Sequence, residues 1–174
     1  MEGFDVCEQG WHSETQLHNL LEQDNARYQS LNNLLTIQSL TKGLEMLGNK
    51  FSVELLFLGE TEMPAHDFSR QVYLKLDDVP VIWAESLCDL QSGFWRDYLN
   101  CGQQSLGRKL FSGEAIIERT PFTYQMFPQT HQKLMPLIAR RSVFNYNDEK
   151  LYLTEFYLPE LLTFVNGSLD STNA

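Results

Sequence analysis

Arg70-Gln71-Val72-Tyr73-Leu74-Lys75-Leu76-Asp77 reads as a strand that carries a charge on its apolar face. Successive side chains of a strand point to opposite faces, so Arg70 shares a face with Val72, Leu74 and Leu76. The chain then turns through Asp77-Asp78-Val79 and continues as a second strand over 80–88, a tight hairpin by length and composition. A second hairpin lies near the other end, with strands over 138–147 and 150–158 about Asn147-Asp148-Glu149. Within it, Leu151-Tyr152-Leu153-Thr154-Glu155-Phe156-Tyr157-Leu158 sets Glu155 on the face of Leu151, Leu153 and Tyr157. Burying a lone charge is very costly, so Arg70 and Glu155 each need a partner, either one another or a polar ligand.

Outward from these hairpins, Phe51 to Leu58 reads as a strand, and Glu114 to Phe127 alternates as a longer one in which Pro121 marks an edge or a bulge. Ser39 is placed to cap a short helix holding Leu40, Leu44 and Leu47, which stops at Gly48-Asn49. Asp89 opens a helical stretch ending near Cys101-Gly102, and Ser105 to Phe111 forms another. Residues 1–35 are polar and helix-leaning, with leucines at helical spacing in two stretches broken around Asp24-Asn25. Pro128 to Pro136 is a polar loop and a candidate lid, and residues 167–174 are expected to be a disordered tail. The tally is about six strands joined by hairpins and helices. It predicts one α+β domain over 1–174, an antiparallel sheet with its helices on one face.

Composition narrows the function classes. A hydrophobic content of 43% is enough for a real core. The net charge of −10 weighs against nucleic acid, and it means that any anion site must be built locally from specific donors. No run approaches the roughly 18–20 apolar residues that a membrane helix needs. The acidic N-terminus argues against a secretory signal or a basic transit peptide. Cys7, Cys88 and Cys101 lack paired spacing and read as free thiols in a reducing compartment such as the cytoplasm. No phosphate loop, dinucleotide turn, Ser-centred elbow or His/Cys metal cluster is present in the sequence, so neither a cofactor nor a metal is expected.

Arg70 and Glu155 leave two readings open. They form a structural salt bridge across the sheet, or they line a closed pocket. In the pocket reading Arg70 grips a carboxylate bidentately, and Glu155, its pKa raised by apolar surroundings, serves as acid, base or hydrogen-bond partner. Two more segments fit such a pocket. Ser105-Leu106-Gly107-Arg108 brings a glycine where backbone can approach a ligand, and Arg140-Arg141 sends one guanidinium to each face of the sheet, one to solvent and the other to a second anion contact or to a pairing with Glu118 or Glu155.

These residues resemble the chorismate–pyruvate lyases, or 4-hydroxybenzoate synthases, over roughly residues 34–160. The resemblance rests on Ser39-Leu40-Thr41-Lys42, on Arg70 with Asp77-Asp78 and Pro80 after it, on Leu106-Gly107-Arg108-Lys109-Leu110-Phe111, on Arg140-Arg141-Ser142, and on Leu153-Thr154-Glu155-Phe156-Tyr157-Leu158-Pro159. It implies a six-stranded antiparallel sheet whose helices enclose an internal ligand pocket. It also implies conversion of chorismate to 4-hydroxybenzoate and pyruvate, for quinone synthesis, by a monomer of the compact cyanobacterial or plastid type. Arg70 would bind a substrate carboxylate and Glu155 would meet the oxygen side of the ring, with Leu40 and Leu106 completing the pocket. Where relatives have a second arginine after the first hairpin, this chain has Glu85. Arg140, Arg141 or Lys42 would then have to compensate, unless Glu85 faces solvent or pairs with an arginine.

The rival reading is a non-catalytic domain of the same fold that senses small aromatic acids. Such domains are normally fused to a DNA-binding module. In this chain residues 1–50 carry seven acidic residues against three basic ones, a poor DNA-binding surface.

Overall fold

The computed structural model describes residues 10–24, 26–62, 67–113, 115–127 and 135–170. Along the chain run β1 (His12–Ser13), α1 (Glu14–Asp24), α2 (Ala26–Gln29), α3 (Asn32–Thr36), α4 (Leu40–Glu45), β2 (Phe51–Glu60), β3 (Asp67–Leu76) and β4 (Val79–Asp89). Then come α5 (Gly93–Leu99), α6 (Leu106–Leu110), β5 (Glu118–Arg119), β6 (Thr123–Met126), β7 (Ile138–Tyr146), β8 (Glu149–Tyr157) and α7 (Leu161–Asp170). The strands pair antiparallel in one sheet of order β1-β6-β7-β8-β4-β3-β2, with β5 also paired to β7.

The two hairpins are the frame. Both close through two-residue loops, Asp77-Asp78 and Asn147-Asp148, whose φ values of 48° and 65° put both central residues in the left-handed region. That is the type I′ turn, whose twist matches that of the flanking strands, and Asn and Asp tolerate its backbone better than other L residues. The Asp77 carboxylate accepts from Asn49 Nδ2 at 2.8 Å and from the Lys50 amide at 2.9 Å, which holds it below the ordinary carboxylate range. The hairpins meet where β4 pairs with β8, Ala84 opposite Glu155 and Ser86 opposite Leu153.

The helices pack on one face of this sheet. Leucines of α1, α3 and α4, with Leu161, Leu162 and Val165 of α7, bury against Val72, Leu74, Leu76 and Ile82. At the other end, α5 and α6 bury Trp95, Leu99, Leu106 and Leu110 against Cys88, Phe144 and Leu151. Serine side chains begin the short helices: Ser39, Ser92 and Ser105 accept from the amides of Lys42, Trp95 and Arg108. Each such cap is worth about 1 kcal/mol. Trp95 also ties α5 to β8 by donating from Nε1 to the Glu149 carbonyl at 2.8 Å. The opposite face carries a smaller cluster of Trp83, Ala139 and Phe156 with Trp11, Tyr73 and Phe127 against it.

Three expectations change. The sheet has eight strands among the described residues rather than six. Two-residue β1 adds one from a segment read as helical. The long strand expected over 114–127 is two short ones, β5 and β6, divided around Pro121, whose missing N–H cannot continue the ladder. The third change is at the C-terminus: α7 runs to Asp170, so residues 167–170 are helical, not part of a tail. Residues 171–174, and 128–134 of the candidate lid, lie outside the described residues. Among the described residues no helix is long and apolar enough to cross a membrane.

Candidate active site

Between the two apolar clusters a pocket opens on the helical face, floored by Arg70, Val72 and Leu74 of β3, Ala84 and Ser86 of β4, and Leu153 and Glu155 of β8. Leu40 and Thr41 of α4 and Leu106, Gly107 and Leu110 of α6 roof it. The two roof helices touch closely. Thr41 Oγ1 and Ser105 Oγ share a buried hydrogen bond of 2.5 Å, and a Cβ on Gly107 would come within 3.1 Å of Thr41 Oγ1. On the outside the Arg108 guanidinium pairs with the Glu45 carboxylate, again joining α6 to α4. The cavity is about 40 Å³, room for roughly three waters.

Arg70 is 2% exposed. Its Nη2 donates to the carbonyls of Gly102 and Gln104 at 3.0 and 2.9 Å. Gly102 takes φ 58°, which lets the loop after α5 fold so that both carbonyls reach one nitrogen. The Arg70 Nε is fully buried and has no hydrogen-bond partner among the described residues. Burial pulls this guanidinium below its ordinary value, with only Cys101 drawing the other way.

Glu155, 8% exposed, pairs with Arg140 and not with Arg70. Arg140 Nε donates to Glu155 Oε2 at 2.6 Å. Its Nη1 donates to the carbonyls of Leu35 at 3.1 Å and Ile37 at 2.6 Å, capping the C-terminal end of α3. The hydroxyls of Tyr124 and Tyr157 add bonds of 2.8 Å to the Leu35 and Leu34 carbonyls. Burial works against the Arg140 charge, but the Glu155 carboxylate outweighs it and holds the guanidinium above its ordinary value. The structural salt bridge thus exists, but with Arg140, which leaves Arg70 without a carboxylate.

Of the residues singled out from the sequence, Leu40, Arg70, Leu106, Gly107, Arg140 and Glu155 come together in one cavity. Arg141 does not join them. It points to the other face, its guanidinium 4.4 Å from the Trp11 ring centroid. Glu85 also lies on that far face, opposite Gln71 in the register, and accepts from Gln71 Nε2 at 2.9 Å. Its charge is turned away from the pocket. Arg119 is the lining residue that sequence reasoning missed. Ile117, two positions earlier and packed on the core, was the available signal that Arg119 faces inward.

The lining holds the guanidiniums of Arg70, Arg119 and Arg140 against the single carboxylate of Glu155, so two positive charges are uncompensated. Apolar walls and excess positive charge suit a small anion with a flat, apolar body. Among the described residues no group of three His, Cys, Asp or Glu side chains is placed to hold a metal ion.

Comparison with known proteins gives this cavity a context. The family model described as chorismate lyase matches residues 21–166. A probable chorismate pyruvate-lyase of Nitrosospira multiformis is 31% identical over 106 residues, covering 53% of this chain and 58% of the relative. The match thus spans little more than half that relative's length. One from Methylobacillus flagellatus is 29% identical over 148 residues, 71% of this chain and 83% of the relative. Another, from Shewanella sp. strain ANA-3, is 33% identical over 145 residues, 72% and 78%.

Proposed function

The chain belongs to the chorismate lyase family, and from that premise we propose that its pocket converts chorismate to 4-hydroxybenzoate and pyruvate. The observation that carries this reading is the buried, partnerless Nε of Arg70 in a cavity whose other charged end is Glu155. Arg70 on β3 and Glu155 on β8 flank β4, two residues apart in register. Strand geometry puts their Cα atoms about 12 Å apart on the diagonal. A flat ring with a carboxylate at one end and an oxygen at the other suits the space between their side chains.

The reaction asks little of the protein. The C–O bond to the enolpyruvyl group breaks, the neighbouring ring carbon loses its hydrogen, and the ring becomes aromatic. That hydrogen is recovered in the methyl group of pyruvate, so the atoms balance without a cofactor. Catalysis then consists of holding the reactive conformer, stabilising negative charge on the departing oxygen and managing one proton. In this proposal Arg70 anchors the ring carboxylate through Nε, and Glu155, held in place by Arg140, handles the proton or bonds the ring hydroxyl. Leu40, Leu106 and Gly107 supply main-chain and apolar contacts. The working unit is a monomer, and the aromatic product feeds quinone synthesis.

The test is direct. Purified protein incubated with chorismate should release 4-hydroxybenzoate and pyruvate in equal amounts. Stoichiometric binding of either compound without turnover would overturn the enzyme reading in favour of a sensing domain.

A further inference from the structure

We propose that Arg119 is the second anion anchor of this pocket, the residue that recognises the side-chain carboxylate of a dianionic substrate and so separates substrate from its monoanionic aromatic product. The proposal rests on the chorismate reading above and adds to it which residue takes the second carboxylate.

Chorismate carries two carboxylates and 4-hydroxybenzoate one. Arg70 accounts for one of them, and a second fixed cation is needed near the other end of the cavity. Arg141 is on the far face against Trp11, and exposed Lys42 is not in the lining. Arg140 faces the cavity, but Glu155 already balances its charge through Nε, and its Nη1 is committed to the carbonyls of Leu35 and Ile37. Arg119 remains.

Its surroundings fit the role. Pairing of β5 with β7 sets Arg119 opposite Phe144, another pocket residue, and so turns it inward. Its guanidinium lies 4.2 Å from the Phe122 ring centroid, and that of Arg140 lies 4.0 Å from the same centroid. One ring thus carries two cations on its π cloud, and among the described residues the carboxylate lining the pocket beside them, Glu155, is paired with Arg140. Among the described residues the hydrogen-bond partner of Arg119 is neutral, the backbone and side-chain oxygens of Gln38. Burial and the repulsion of Arg140 hold its guanidinium below the ordinary value. A carboxylate replacing the Gln38 amide would relieve that repulsion and make a charge-assisted bond, roughly twice as strong as a neutral one. Half-buried Arg119 also sits nearer solvent than Arg70. When the C–O bond breaks, its carboxylate departs with pyruvate, and the aromatic product keeps only the Arg70 contact.

The experiment measures affinities of chorismate and 4-hydroxybenzoate by calorimetry, and steady-state kinetics, for wild type, Arg119→Met and Arg119→Lys. Arg119→Met should weaken chorismate about 10–100-fold in Kd or KM while leaving 4-hydroxybenzoate within about twofold. Arg119→Lys should recover part of the loss, since it keeps the charge and lacks the planar fork. Equal weakening of both ligands, or unchanged chorismate affinity, would overturn the proposal. The two readings fail separately. A wild-type protein that binds chorismate but releases no pyruvate sinks the proposed activity, and the affinity ratio still decides the role of Arg119.

Discussion

At the residue scale the pocket is built on unequal partnership. Glu155 is paired with the guanidinium of Arg140, whereas among the described residues Arg70 has two backbone carbonyls and an idle Nε. Replacing Arg70 with Ala should therefore weaken 4-hydroxybenzoate binding by about 10–100-fold, the loss of one charge-assisted contact. Glu155→Gln can still accept from Arg140 Nε, so it should bind product nearly as wild type and lower kcat by about 10²–10⁴-fold. Titration of product into each variant beside steady-state assays separates the two, and equal effects on binding from both would contradict this division of roles. On the far face Glu85 makes a different prediction. Burial, with Asp67 adding to it and Gln71 opposing, raises its carboxyl above the ordinary 4.5. Between 4.5 and that raised value the folded protein keeps a proton that the unfolded chain has released, so stability falls as pH rises through the window. Glu85→Gln should raise Tm by about 2 °C at pH 7 and leave it unchanged at about pH 4, read from thermal melts at both values.

At the scale of elements, the two type I′ turns are open to improvement. Asp148 holds φ 65° without the freedom of glycine. Asp148→Gly would create Asn-Gly, the pair this turn favours, and should stabilise by about 0.5 kcal/mol, or roughly 2 °C in Tm, with the β7–β8 register unchanged. The elements that were legible in the sequence are the ones with a physical reason to be. β3 alternates along most of its length and β4, β7 and β8 over part of theirs, and their turns carry Asp and Asn where φ must be positive. Two-residue β1 left no such trace, whereas α6, only one turn long, was legible from the Ser105 cap before it. Leu161, Leu162 and Val165 do mark the buried side of α7, yet the small polar residues after Asn166 masked that it continues. Pro121 ends the pairing just after Arg119, so the short alternation of Ile117 with Arg119 is all that points that side chain inward. Arg140 as the partner of Glu155 depends on cross-strand register, which face alternation leaves undetermined.

At the scale of the whole molecule, a chain of net charge −10 encloses a lining with two positive charges to spare. Repulsion at a distance and attraction at contact follow, so selectivity for an anion is exercised inside the cavity rather than in solution. The roof of the cavity is clasped by Thr41 with Ser105 and by Glu45 with Arg108, so a ligand held there lies beneath the contact between α4 and α6. The seam between β4 and β8 has a further consequence, which belongs to time rather than to equilibrium. Arg70 sits on one hairpin and Glu155 on the other, and the chain between the paired residues Ala84 and Glu155 is a long loop to close. Each hairpin can zip locally within microseconds, whereas this junction bears the entropy of that closure. On refolding from denaturant, product-binding fluorescence should therefore trail the far-ultraviolet signal of strand formation, with substitutions along the seam lengthening the lag. Simultaneous recovery of both signals would mean that the hairpins and the junction form in one step.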